Sequence, residues 1–260
     1  MSEAGREGLR RRLAAGGTVL GTMLFEFNTL GVPRIVAGAG ADFVLIDLEH
    51  TGWGVEGVRP LLAAARAEPV VPIVRVHAAA RDLISAALDA GAAGVMVAMV
   101  DDAHGAEAVV RAARFAPNGS RGFGLVYPDQ VADGVGQAIE AADTETVVIL
   151  QIETLSGVEH VEEIAVTPGV DVLWVGQFDL SLSLGIPGAL DHPRLRAAEE
   201  RVVAACADAG IAAGILAGDV QGARSMLDRG FRMIALGTDI GLYGQALRSG
   251  LAALRPERGH

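Results

Sequence analysis

Short apolar runs alternate along the chain with amphipathic stretches rich in Ala, Leu and Arg, a rhythm that predicts repeated strand–helix units. Eight such runs occur: TVLGTMLF from Thr18, DFVLIDLEH from Asp42, PVVPIVRV from Pro69, GVMVAMV from Gly94, TVVILQIET from Thr146, VDVLWVGQFDL from Val170, IAAGIL from Ile211 and FRMIALGTD from Phe231. Their apolar character is continuous rather than strictly alternating, which predicts strands covered on both faces, as in a parallel sheet. Eight units in 260 residues fit an α/β fold of the TIM (β/α)8 barrel type, expected as a single domain over residues 1–260. A doubly wound open sheet is the alternative. Against it, no GxGxxG follows the first run, and polar residues end several runs instead of gathering at one switch point.

Composition narrows the function. Hydrophobic residues make up 51% of the chain, charged residues 20% and aromatics 4%, a folded and globular balance. Every one of the 21 basic residues is arginine. Without lysine there is no side-chain Schiff base, so lysine-dependent aldol chemistry, pyridoxal-phosphate catalysis and a Walker-type phosphate loop are excluded. The net charge of -11 repels phosphate backbones and anionic lipid surfaces, so neither nucleic acid nor a membrane is expected as a partner. Cys206 is the only cysteine; within VVAACADAG it fits a small core residue of a helix, and the chain suits a reducing compartment. The start lacks an apolar stretch of signal-peptide type and no apolar run reaches membrane-spanning length, which predicts a soluble cytoplasmic protein.

The C-terminal ends of barrel strands carry the chemistry of this fold class, and here those ends are polar. The second run ends in Asp47, Glu49 and His50, the third in Arg75, the fifth in Gln151 and Glu153, and the sixth in Gln177 and Asp179. Strand alternation puts Gln151 and Glu153 on one face and Leu150 and Ile152 on the other. Glu153 and Asp179, with no cysteine or histidine pair at zinc spacing, point to an oxygen-ligand site for magnesium or manganese. The alternative is that both merely cap the helices that follow. Arg75 delivers a guanidinium that complements a carboxylate or a developing oxyanion, or else forms an ordinary salt bridge. Asp89 falls in the last turn of a predicted helix before Gly91, where a carboxylate faces the negative end of the macrodipole and wants a partner. His50 could supply it, giving an Asp–His pair in which the carboxylate fixes the imidazole tautomer. His77 is the one rival near a strand end. His104, His160 and His192 lie near helix starts and His260 is terminal, which predicts surface roles for these four.

The segments LIDLEH at 45–50, VR at 74–75, LDAGAAGVMVAMV at 88–100, PNGSRGFG at 117–124, QIET at 151–154, VGQFDLSLSLG at 175–185 and LGTD at 236–239 together resemble the HpcH/HpaI aldolases, in order and over nearly the whole chain. These are class II, metal-dependent pyruvate aldolases of the phosphoenolpyruvate/pyruvate barrel superfamily. The resemblance implies Glu153 and Asp179 as ligands of a divalent cation (Mg2+, Mn2+ or Co2+) and His50 paired with Asp89 as a base acting through a water at the metal. It further implies Arg75 on the keto oxygen and enolate, Gln151 orienting groups at the metal, and the backbone around Phe178 and Asp179 holding the pyruvate carboxylate. The implied reaction is reversible cleavage of a 4-hydroxy-2-oxoacid to pyruvate, or a close 2-oxoacid, and an aldehyde, in a homo-oligomer (trimer or hexamer) with active sites near subunit boundaries. Gln177 stands where the family usually has proline, and Met23 where it commonly has tryptophan. Phe25, Glu26, Phe27 and Asn28 then form a first loop that the resemblance places on the aldehyde side, and they point away from a long dicarboxylate substrate. The rival functions are a related lyase, such as an oxaloacetate decarboxylase or a CoA-thioester lyase, and a non-catalytic barrel scaffold; unpaired buried charge at the strand ends argues against the scaffold.

Overall fold

A computed structural model of the chain describes residues 3–125, 127 and 130–255. One helix, α1 (Glu3–Ala14), precedes eight strands: β1 (Val19–Leu24), β2 (Phe43–Asp47), β3 (Val71–Val76), β4 (Gly94–Val97), β5 (Val147–Ile152), β6 (Val172–Val175), β7 (Ala212–Ala217) and β8 (Met233–Thr238). Between them run α2 (Val32–Gly38), α3 (Val55–Ala65), α4 (Arg81–Asp89), α5 (Ala103–Ala113), α6 (Val135–Glu145), α7 (Leu155–Glu159), α8 (Val161–Ala165), α9 (Gln177–Ser183), α10 (Pro193–Ala209) and α11 (Val220–Asp228), and α12 (Asp239–Leu254) follows β8. The strands pair in parallel and in chain order, and β8 returns to β1, so the sheet closes as a barrel. Each of the eight apolar runs holds one strand, and the polar residues at the run ends occupy the last strand positions and the loops at the barrel mouth.

Two apolar layers hold the barrel. Inside it, Val19, Phe43, Leu45, Val71, Ile73, Met96, Val147, Ile149, Val172, Trp174, Met233 and Ala235 interlock, and Leu9 and Leu13 of α1 pack against them. The alternate strand positions, such as Val44, Ile46, Val74, Val95, Leu150 and Leu173, face outward onto the helices. Strands β2 to β6 are buried at every position, as continuous apolar runs require. Gly214 lies beside Trp174 in register on the neighbouring strand, where a Cβ would overlap the indole ring, so only glycine lets that ring fill the barrel.

Four of the turns that lead from strands into helices share one device. Asp102, Thr154, Asp219 and Thr238 each cap a helix by accepting the N–H three residues on, from Gly105, Gly157, Gly222 and Gly241. Each such cap contributes about 1 kcal/mol. Cys206 is buried in α10, and burial pushes its thiol up to about 12, in keeping with a core residue. Among the described residues no helix is long and apolar enough to cross a membrane.

Candidate active site

Alternation along the strands sets a polar layer on top of the apolar interior. In β2 the inward positions run Phe43, Leu45, Asp47, and in β3 they run Val71, Ile73, Arg75, with Asp47 and Arg75 side by side in register. The Arg75 Nε donates to Asp47 Oδ1 at 2.7 Å, both groups being buried. Asp47 also shapes the turn that leaves β2, accepting from the Glu49 N–H and the His50 N–H, each at 3.0 Å. That turn brings Glu49 Oε2 to 3.2 Å from Arg75 Nη1 and to 3.8 Å from His50 Nε2. Desolvation raises the Glu49 carboxyl above its ordinary range, against the lowering effect of Arg75 and His50. Arg75 therefore does form the salt bridge that was its alternative reading. Its Nη2 has no hydrogen-bond partner among the described residues and remains available to a ligand oxygen.

Across the mouth, β5 continues inward through Gln151 to Glu153, both buried. Gln151 Nε2 donates to Glu153 Oε2 in a short contact, and the backbone N–H of Met99 donates to Glu153 Oε1 at 2.8 Å. Met99 adopts a φ of 56°, a left-handed conformation uncommon for a residue with a side chain. Helix capping is not the role of Glu153, since its neighbour Thr154 caps α7. Asp179 lies in the first turn of α9, where a carboxylate suits the helix dipole. Burial raises the Glu153 carboxyl; the two hydrogen bonds oppose this, and the charges of Glu49 and Asp179 raise it further.

This donor set fits a divalent cation. The charges of Glu49 and Asp179 raise the Glu153 carboxyl and that of Asp179 raises Glu49, so a positive charge among them would relieve the repulsion. Glu49 Oε2 is engaged by the ion pair with Arg75, whereas the buried Gln151 Oε1 has no hydrogen-bond partner among the described residues, and such an atom in an otherwise satisfied site awaits a ligand. Gly176 completes the cradle: a Cβ there would come within 2.5 Å of Glu153 Oε2. Among the described residues no three of His, Cys, Asp or Glu form a closed metal cluster. A two-carboxylate site leaves the other positions to water or substrate, the usual manner of holding magnesium.

The structure thus brings His50, Arg75, Gln151, Glu153 and Asp179 to one mouth, with Phe178 beside Asp179 in the first turn of α9. The leading N–H groups of that turn have no intrahelical acceptors. Asp89 is a correction: within the chain it does not pair with His50. It closes α4 as expected, but α4 carries the chain back to the opposite end of the barrel, where the Ala93 N–H bonds Pro72 O near the start of β3. There Asp89 accepts from Arg121 Nη2 at 2.7 Å, and Gly124 packs against its carboxylate so closely that no Cβ fits. The carboxylate that faces His50 is Glu49, and His50 itself is 55% exposed. Gln177 Nε2 donates to Leu216 O near the end of β7 at 3.0 Å. His77, His104 and His160 are exposed, His192 accepts from the Arg194 N–H as the cap of α10, and His260 lies outside the described residues. Sequence reasoning missed the supporting roles of Met99, Gly176 and Asp239. Asp239 was legible as a polar strand end in LGTD, whereas no residue-type signal marks Met99.

A family profile for the HpcH/HpaI aldolase/citrate lyase group matches residues 26–246. Among curated relatives, a hydroxypyruvate/pyruvate aldolase of Paraburkholderia phytofirmans is 40% identical over 257 residues, covering 95% of this chain and 97% of that protein. A 2-keto-3-deoxy-L-rhamnonate aldolase of Klebsiella pneumoniae is 34% identical, covering 95% of this chain and 93% of the relative. The crystal structure of an HpcH/HpaI aldolase/citrate lyase family protein from Burkholderia cenocepacia superposes with a TM-score of 0.88 at 35% identity, covering 96% of this chain and all of the other (100%).

Proposed function

Because the chain belongs to the HpcH/HpaI aldolase/citrate lyase family and is a lyase of the aldolase type, we propose that it acts as one domain on a 4-hydroxy-2-oxoacid, releasing pyruvate or a close 2-oxoacid and an aldehyde. One observation carries this reading: a buried guanidinium, Arg75, shares the polar layer of the mouth with a buried carboxylate, Glu153, that two hydrogen bonds hold but that no cationic side chain pairs among the described residues. Glu153 and Asp179 would hold a divalent cation, Mg2+, Mn2+ or Co2+, which when bound supplies Lewis-acid stabilisation of negative charge on substrate oxygen.

The chain's own groups divide the remaining work. The backbone of Phe178 and Asp179, in the first turn of α9, receives the substrate carboxylate. Arg75, fixed in place by Asp47 and Glu49, turns Nη2 toward the keto oxygen. Gln151 holds Glu153 in orientation and keeps its own Oε1 for a ligand. His50 removes the proton of the 4-hydroxyl; the bond between carbons three and four breaks, its electron pair passes to carbon three, and the carbonyl of the aldehyde forms. The resulting enolate of the 2-oxoacid takes a proton at carbon three. In the condensing direction the same groups run in reverse.

We further infer a cytoplasmic homo-oligomer, a trimer or hexamer, supported by apolar surface that the single chain leaves bare. Along α12, Ile240, Tyr243, Leu247, Leu251 and Leu254 form an exposed stripe at helical spacing, and Leu20 of β1 is exposed as well. Since α4 holds Asp89 away from the mouth of its own barrel, any pairing of His50 with Asp89 is one between chains.

The reading is tested without knowledge of the aldehyde. Metal-loaded enzyme should exchange the methyl protons of pyruvate with deuterated solvent, followed by proton NMR, and chelation should stop the exchange. His50→Ala should slow it by about 10²- to 10⁴-fold, the usual cost of losing a general base. Absence of exchange at saturating metal would overturn the enolate chemistry.

A further inference from the structure

The chain that leaves β4 is stitched to its neighbours residue by residue. The Ala98 N–H donates to Val76 O at 3.1 Å and the Val100 N–H to Gln151 O at 3.2 Å, which ties this turn to β3 on one side and to β5 on the other. Between them Met99, at a φ of 56°, directs its N–H at Glu153 Oε1. Asp101 receives a bond in the opposite direction. Thr154 Oγ1 donates to Asp101 Oδ1, and the same hydroxyl oxygen accepts from the Gly157 N–H at 2.9 Å as the cap of α7. The packing is close as well as bonded, since a Cβ on Gly157 would lie 2.8 Å from Val100 O. Glu153 and Thr154, adjacent in sequence, are thus both gripped by one turn. A backbone amide holds the carboxylate of the first, and a carboxylate holds the hydroxyl of the second.

We propose that Asp101 is a positioning residue for Glu153: by latching Thr154 to the turn after β4, it keeps the Met99 amide aimed at that carboxylate and so pre-organises the seat of the divalent cation. The proposal rests on the reading of Glu153 as a metal ligand given above. A residue with a side chain stays in the left-handed region only where its surroundings over-determine it. For Met99 those surroundings are the ties at Ala98, Val100 and Asp101. The first two are made by backbone; the third is made by side chains and is the one that substitution can remove. Asp101 acts on Glu153 from two directions, through the turn that presents the Met99 N–H and through Thr154, which shares a peptide bond with Glu153. Its need follows from the company Glu153 keeps, since Glu49 and Asp179 repel its charge and would displace a loosely held carboxylate.

Calorimetric titration of the full chain with Mn2+ reads the latch directly and needs no turnover. Asp101→Ala removes the acceptor and should weaken Mn2+ binding about 10- to 100-fold, the effect of losing a group that orients a ligand. Asp101→Asn discards the charge but keeps an oxygen for the Thr154 hydroxyl, and Thr154→Ser keeps the hydroxyl itself, so both should bind within about threefold of the wild type. Thr154→Val should lose at least as much as Asp101→Ala, and combining the two should cost nothing further, because both break one bond. Pyruvate proton exchange lost by Asp101→Ala at limiting Mn2+ should be recovered by excess Mn2+, a recovery that general damage to the barrel would not allow. Unchanged affinity in Asp101→Ala would overturn the proposal, as would losses that multiply in the double variant. An Asp101→Asn variant as weak as Asp101→Ala would also overturn it, making the effect one of charge. Should Asp101→Ala fail to fold, Thr154→Val decides the matter, an unchanged affinity overturning it. Wild-type enzyme that binds Mn2+ without exchanging pyruvate would strike the aldolase reading and leave the latch to the calorimetry, whereas wild-type enzyme that binds no Mn2+ would overturn both.

Discussion

At the scale of the residue, the site depends on groups that carry no chemistry. Gly176 joins β6 to α9, and its missing side chain is the space that Glu153 uses: an added Cβ would lie 2.5 Å from Glu153 Oε2 and 3.0 Å from Gln151 Nε2. Gly176→Ala should therefore push the carboxylate out of line and weaken divalent-metal binding by roughly 10- to 100-fold, as changes to groups that orient a ligand do. Calorimetric titration with Mn2+ would measure this, and circular dichroism would confirm that the barrel persists. Met99 makes the complementary contribution through its backbone. Among the described residues it is the only one other than glycine with positive φ. A conformation of this kind costs on the order of 1–3 kcal/mol and survives where the surroundings over-determine it. Here it directs an N–H at Glu153 Oε1.

At the scale of the element, the strands were legible because burial on both faces writes a continuous apolar run, and all eight runs became strands. The polar layer was legible for a related reason. Period-two alternation carries the inward face from Leu45 to Asp47, from Ile73 to Arg75 and from Ile149 to Gln151. What sequence could not show was direction and distance. The unfavourable place of Asp89 at the end of α4 correctly announced a need for a partner, but helices of a barrel run against its strands, so the end of α4 lies far from the end of β2. Arg121 met the need instead, from a loop thirty-two residues on. Asp239 illustrates the same limit in reverse. Its partners lie at the first strand, and only closure of β8 onto β1 brings the two ends of the chain together.

At the scale of the whole molecule, α12 is the element least accounted for by the chain alone. Among its described residues only Asp239 is buried, while its apolar stripe faces outward. Exposed apolar surface of this extent is costly for a monomer, so light scattering at micromolar concentration should give three or six times the chain mass of 26.8 kDa; a value of one chain mass would contradict the oligomer. The barrel also has a closed end. Leu9 and Leu13 of α1 pack against the filled interior, which leaves the mouth as the open end of the described barrel. On the proposed placement of the 2-oxoacid at Arg75 and α9, the aldehyde should leave first and the 2-oxoacid last. Steady-state product inhibition of the cleavage reaction should accordingly show pyruvate competing with the substrate and the aldehyde inhibiting noncompetitively, whereas the opposite pattern would place the aldehyde in the deeper berth.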